Sequence, residues 1–69
     1  MSKRPSTVYR EDEPGRHIAV YAGRILKGHV IIRGGEVHAY QPEGSFVGTF
    51  AGAMEGLKAA REWLLGDHA

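Results

Sequence analysis

Imidazole, phenol, guanidinium and carboxylate groups recur at alternating positions in three short stretches of this chain. His17 and Tyr21 stand in "HIAVYA", His29 and Arg33 in "HVIIR", and Glu36, His38 and Tyr40 in "EVHAY". Side chains two residues apart on a β-strand share a face. The spacing therefore gathers these groups, with Ile31, on one side of a sheet. Such a collection can hold a metal ion, move protons, stack on nucleic-acid bases, or pack against another protein.

The first two options are weak on chemical grounds. Zinc takes three or four ligands in a tetrahedral arrangement. His29 and His38 are diagonal neighbours, about 7 Å apart, and His17 joins them only if the first strand pairs alongside. The chain has no cysteine, which excludes thiolate zinc sites, and with only two diagonal histidines placed together no metal or other cofactor is expected. A thiol nucleophile is excluded, and the aspartates are confined to Asp12 and Asp67. Glu36 reads as the cross-strand partner of Arg33, and Ser45 sits in a turn with no base beside it. The glycines at 23, 28, 34 and 35 do not lead from a strand into a helix, as a phosphate loop requires. An enzyme is not expected.

Stacking and protein packing remain, and the elements that must position the residues set the terms for both. "IIRGGEVHAY" reads as two strands folded across Gly34-Gly35, a pair that supplies the positive φ of a two-residue hairpin turn. That turn sets Arg33 opposite Glu36, Ile32 opposite Val37, Ile31 opposite His38, Val30 opposite Ala39, and His29 opposite Tyr40. A slip of one residue would send every aliphatic side chain to the wrong face. "HIAVYA" is a strand before this hairpin, reversing either at Gly23-Arg24 or at Lys27-Gly28. "SFVGTF" follows the turn "QPEGS". Whether Phe46 or Val47 points inward depends on a bulge there.

After Phe50 the period becomes helical. Ala53, Leu57, Ala60 and Leu64 form one apolar stripe, with Gly52 as N-cap, Glu55 completing a partial capping box, and Gly66 as the stop. Gly56 near the stripe costs about 1 kcal/mol relative to alanine, which points to close approach of helix and sheet. Trp63, on the helix flank, reads as closing the core against the sheet edge or the tail, with Tyr9 as a candidate neighbour, or as a dimer contact. The expected fold is α+β: an antiparallel sheet of three or four strands with one C-terminal helix packed on one face. Residues 1–16 are expected to be a flexible tail, with Val8 and Tyr9 as their apolar anchors, and residues 17–69 a single domain. One helix covers one face, so the face bearing the histidines and tyrosines is expected to lie open. The solvated side of a strand favours Tyr and His even without a partner.

At 69 residues such a domain buries only about 60% of its unfolded surface. Without disulfides a marginal core of this kind is commonly completed by a second subunit. Nine Lys and Arg face eight Asp and Glu, a net charge of +1. Over residues 17–69 the balance is neutral, with Arg24, Lys27, Arg33, Lys58 and Arg61 against Glu36, Glu43, Glu55, Glu62 and Asp67. A nucleic-acid binder usually carries a marked basic excess. No stretch reaches the ~18 apolar residues of a membrane span. "MSKRPSTVYREDEPGR" has no apolar segment after its basic residues, so a secretory signal is not expected and a cytoplasmic location is.

"AYQPEGSFVGTFAGAMEGLKAA" resembles the ending of AP2-like domains and of the integrase amino-terminal, arm-site-binding domains. There a strand, a glycine turn and "G-x-F" lead into a helix. The resemblance covers about residues 36–62 and implies a three-stranded antiparallel sheet, backed by a helix, that reads the DNA major groove. The chain departs from the pattern with Gly52 where threonine is usual and Gly56 where alanine is. It also lacks the dense Arg and Trp reading set. The segment looks equally like short bacterial proteins with a "G-x-hydrophobic-G-x-F" strand before a helix, which imply a fold and no activity. Two functions follow as expectations. The first is a homodimerising or protein-interaction module using the open face, with Tyr21, Arg24, Lys27, His29, Arg33, His38 and Tyr40 as binding residues. The second is duplex-DNA binding by the same residues.

Overall fold

The computed structural model describes residues 8–66 and contains four strands followed by one helix. Strands β1 (Arg16–Ala22), β2 (Ile25–Arg33), β3 (Glu36–Tyr40) and β4 (Phe46–Ala51) form one antiparallel sheet in the order β1-β2-β3-β4, and α1 (Ala53–Leu65) packs across it. This is the α+β architecture expected from the sequence, with four strands. Among the described residues, no helix is long and apolar enough to cross a membrane.

The β2–β3 register matches the alternation residue for residue, from Arg33 opposite Glu36 to His29 opposite Tyr40. Gly34 and Gly35 both take positive φ, 61° and 78°, which glycine adopts without a Cβ clash. The first hairpin reverses at Gly23-Arg24, with Ala22 opposite Ile25. Its register shifts beside Val20, where Lys27 is an extra residue in β2. The second shift falls in β4: Tyr40 faces Phe46 but Ala39 faces Gly48. The extra residue there is Val47. That bulge answers the open orientation, since Phe46 meets Tyr40 on one face while Val47 packs against the core on the other.

Val20, Val30, Val37 and Ala39 from the sheet meet Ala60 and Leu64 of the helix, and Ile18, Ile32, Val47, Phe50, Leu57 and Leu65 complete the core. The buried helical positions are Gly56, Ala60 and Leu64. Ala53, read as part of the stripe, is exposed. At this end of the helix the position against the sheet is taken by Gly56, whose backbone lies close to Phe50, Ala51 and Val37. The N-cap Gly52 accepts Gly56 N–H at 2.8 Å and donates its own N–H to Gly35 at 2.8 Å, tying the helix start to the β2–β3 turn. There is no side-chain cap. Glu55 lies in the first turn, where a carboxylate suits the positive end of the helix dipole.

A methyl group added at Gly56 would stand 2.8 Å from the Phe50 carbonyl oxygen, 3.0 Å from that of Ala51 and 3.1 Å from Val37 Cγ2. Two of these are backbone atoms, so the helix must lift away. Overpacking costs about 1–3 kcal/mol, which outweighs the ~1 kcal/mol alanine gains in helix propensity. Gly56→Ala is therefore expected to lower the urea midpoint. An unchanged or higher midpoint contradicts the close approach.

Candidate functional site

Beyond the helix-facing core, the sheet carries a second side-chain layer, and the N-terminal segment lies across it. Val8 forms an isolated antiparallel bridge with Ser45, and Tyr9 N–H donates to the Gly44 carbonyl at 2.6 Å. The segment then crosses to Gly15, where the chain enters β1. A Cβ at Gly15 would lie 2.9 Å from both Ile31 Cγ2 and the Ile32 oxygen. The expectation of a bare face and a free tail is corrected for residues 8–15. The tail residues 1–7 lie outside the described residues.

Tyr9 is the centre of this layer. Its ring stacks on His29 with centroids 4.2 Å apart at 13°, and meets His17 and Tyr40 edge-on at 5.5 and 5.6 Å. Tyr40 in turn leans on Phe46 at 5.4 Å. His17 Nε2 lies 2.7 Å from the Glu13 carbonyl oxygen and Nδ1 lies 2.9 Å from Tyr9 Oη. A carbonyl only accepts, so the Nε2–H tautomer of His17 donates to Glu13 and accepts a hydrogen bond from the Tyr9 hydroxyl at Nδ1. Tyr9 thus lies on the face opposite the helix, away from the core that Trp63 was read as closing. Trp63 itself is 37% exposed.

Near the Gly34-Gly35 turn the layer becomes charged. The Arg33 guanidinium lies 3.5 Å from Glu13 Oε2, with both side chains mostly covered. Arg33 and Glu36 are opposite in register as expected, but the ion pair goes to Glu13. The Glu36 carboxylate instead lies 3.8 Å from His38 Nε2, beyond hydrogen-bond length. His38 Nδ1 is 3.1 Å from Thr49 Oγ1. Arg33, Gly34, Glu36 and His38 line a shallow cleft of about 280 Å³. Among the described residues, no three His, Asp or Glu side chains are placed to hold a metal ion.

The seven residues read as a binding set divide in two. Tyr21 and Arg24 are exposed and Lys27 is half-buried, all at the β1–β2 end of the sheet. His29 is covered by the Tyr9 ring, Arg33 is paired, and His38 and Tyr40 are buried, at 5% and 1% exposed. Ile31, at 1%, is buried with them. These four binding residues were expected to face a partner; His29, Tyr40 and Arg33 instead meet Tyr9 and Glu13 of the chain's own N-terminal segment, and His38 is held by Thr49. Tyr9 was the residue the site reasoning missed. Its signal was Ile31, an aliphatic side chain on the polar face that a bare sheet would leave in water.

No family model matches the chain, and no curated protein or solved structure matches it either.

Burial holds both His29 and His38 below the ordinary histidine range. Glu11 offsets this in part at His29, where His17 adds to it; at His38 Glu36 and Glu13 oppose it and Arg33 adds to it. Because the folded values are depressed, the unfolded chain takes up these protons first as pH falls below about 6.5. The stabilisation is complete above that value and is lost as pH falls through the folded values. Denaturation midpoints should therefore be lower at about pH 5.5 than at about pH 7.5, with a smaller difference in His38→Gln. A midpoint that rises on acidification contradicts this.

Proposed function

We propose that this chain is a small non-enzymatic binding protein that self-associates through the free edge of β1, beside the hairpin that carries Tyr21, Arg24 and Lys27. The face opposite the helix is occupied by the N-terminal segment, which leaves the β1 edge as the surface for association. Among the described residues no strand pairs with the outer side of β1. Natural edge strands are usually guarded by lysine, proline, inward charges or bulges. From His17 to Ala22 the strand has no such guard, and the bulge beside it belongs to the inner strand β2. The β4 edge differs, because its bulge lies in β4 itself and is followed by Gly48.

The observation that carries the reading is the self-complementarity of "RHIAVYA". Antiparallel pairing about Ala19 sets Ile18 opposite the partner's Val20 on the core side. It sets His17 opposite the partner's Tyr21 on the other side. No like charges meet, and the two sheets become one with a continuous apolar face. Tyr21 and Ile25, 56% and 65% exposed, lie at the end of this edge. A second reading, duplex DNA bound by the same hairpin, draws on Arg24 and Lys27. Its signature is affinity that falls steeply with salt.

Light scattering over a roughly hundred-fold concentration range tests the proposal, because association follows mass action. The expected mass at the high end is twice 7.5 kDa. Ala19 is exposed and would face itself at the two-fold axis, so Ala19→Lys should give a folded monomer. A monomeric wild-type chain throughout the range overturns self-association. A salt-sensitive duplex complex with that monomer favours the second reading.

A further inference from the structure

Residues 8–13 pair strand-like at Val8 and Tyr9 and then turn, with Glu13 N–H donating to the Arg10 carbonyl at 3.2 Å, and both Tyr9 and Glu13 reach the sheet. We propose that the surface beneath them is a peptide-binding groove, selective for a segment carrying a tyrosine and, four residues on across a tight turn, a glutamate. The chain's own N-terminal segment is the occupant that such a partner displaces. This goes beyond the β1-edge reading and does not depend on it.

Three kinds of contact define the groove. The backbone contributes strand-like pairing to the β3–β4 turn, through the Val8–Ser45 bridge and Tyr9 N–H to the Gly44 oxygen. This pairing resembles strand addition at one end of the segment only; beyond Tyr9 the chain turns, and the side-chain slots do the selecting. The tyrosine slot is built from His29 beneath the ring, Tyr40 at its edge and His17 Nδ1 accepting from the hydroxyl. The carboxylate slot is Arg33, with His17 Nε2 donating to the backbone oxygen of the same residue, Glu13.

Between the two slots the groove reads little. Arg10, Glu11 and Asp12 are exposed, and the Arg10–Asp12 ion pair lies within the segment itself, at 2.9 Å. Val8 is 56% exposed. The segment is thus anchored at Tyr9 and Glu13, which gives the Tyr-x-x-x-Glu spacing. Beneath it lie Ile31 and Tyr40, each 1% exposed. Uncovered, they would join an apolar patch of the kind that marks an interaction surface. An occupant is therefore always favoured, and the choice is between the chain's own segment and a partner's.

A short flexible tether supplies an effective concentration of about 1 mM. A segment closed about nine-tenths of the time in cis therefore corresponds to a free peptide with a Kd no weaker than about 0.1 mM. The test is NMR titration of the full chain carrying Tyr9→Ala with an acetylated peptide of the sequence of residues 8–15. Saturable shifts should appear at His17, His29 and Gly44. The wild-type chain should bind the same peptide at least about ten-fold more weakly, because its own segment competes. A peptide with alanine for tyrosine should leave the spectrum unchanged.

A folded Tyr9→Ala chain that shows no saturable shifts up to about 5 mM peptide overturns the groove. If that variant loses its dispersed spectrum, Glu13→Gln is titrated instead, since it loosens the segment but keeps the ring. It must bind the peptide more tightly than wild type, and equal affinity overturns the proposal. Shifts at His29 on mixing Tyr9→Ala with wild-type chain, without peptide, identify the occupant as a second copy's segment. They overturn the assignment to a separate peptide partner.

Discussion

A sheet has two faces, and a single helix covers one. That constraint governs the rest of this molecule, because the face opposite α1 is not polar enough to be left in water. Ile31 and Tyr40 are among its largest fully buried side chains and both lie on that face. A tyrosine buries roughly 150–250 Å², so exposing these two would remove a substantial share of what stabilises so short a domain. The Tyr9 ring resolves the difficulty by closing over His29, Tyr40 and His17 in a second, smaller apolar layer.

The cover is held by polar contacts at its ends as well as by ring packing. Tyr9 N–H is fixed to Gly44 at one side of the sheet, while Glu13 reaches Arg33 and its carbonyl receives His17 at the other. No described buried side-chain N or O atom is left without a hydrogen-bond partner. Burying imidazoles in this way disfavours their charged forms. The stability of the layer is thereby tied to the protonation of His29 and His38, residues that would titrate without consequence on an open surface.

The sheet was legible in the sequence because its signal is local and redundant. Gly34-Gly35 set the register, and five facing pairs then agreed with it. Gly56 announced the close helix contact by costing propensity with no other return. The bulges were less legible. An extra residue at Lys27 or Val47 changes no hydropathy pattern, and only the pairing on both sides reveals it. Tyr9 was least legible. It sits in a run of charges and prolines whose mean composition describes an unstructured tail, and a composition average does not register one aromatic anchor. Four of the seven proposed binding residues were placed on the right face for that reason and assigned the wrong neighbour.

The cover and the β1 edge are not independent surfaces. Gly15 ends one and Arg16 begins the other, and His17 belongs to both. Its ring nitrogens are held by Tyr9 and Glu13, while pairing of β1 with a second copy sets the same side chain opposite the partner's Tyr21. Displacing the cover frees the His17 ring and removes the restraint on the first residues of the edge strand. Any change this makes to edge pairing must be returned in equal measure, since coupling between two binding equilibria is reciprocal. If a free His17 packs better on the partner's tyrosine, peptide binding and self-association reinforce one another. If the Tyr9 contact is what holds the strand end straight, they oppose. The sign is decided at one imidazole, whose two nitrogens cannot serve the N-terminal segment and a rearranged edge at once.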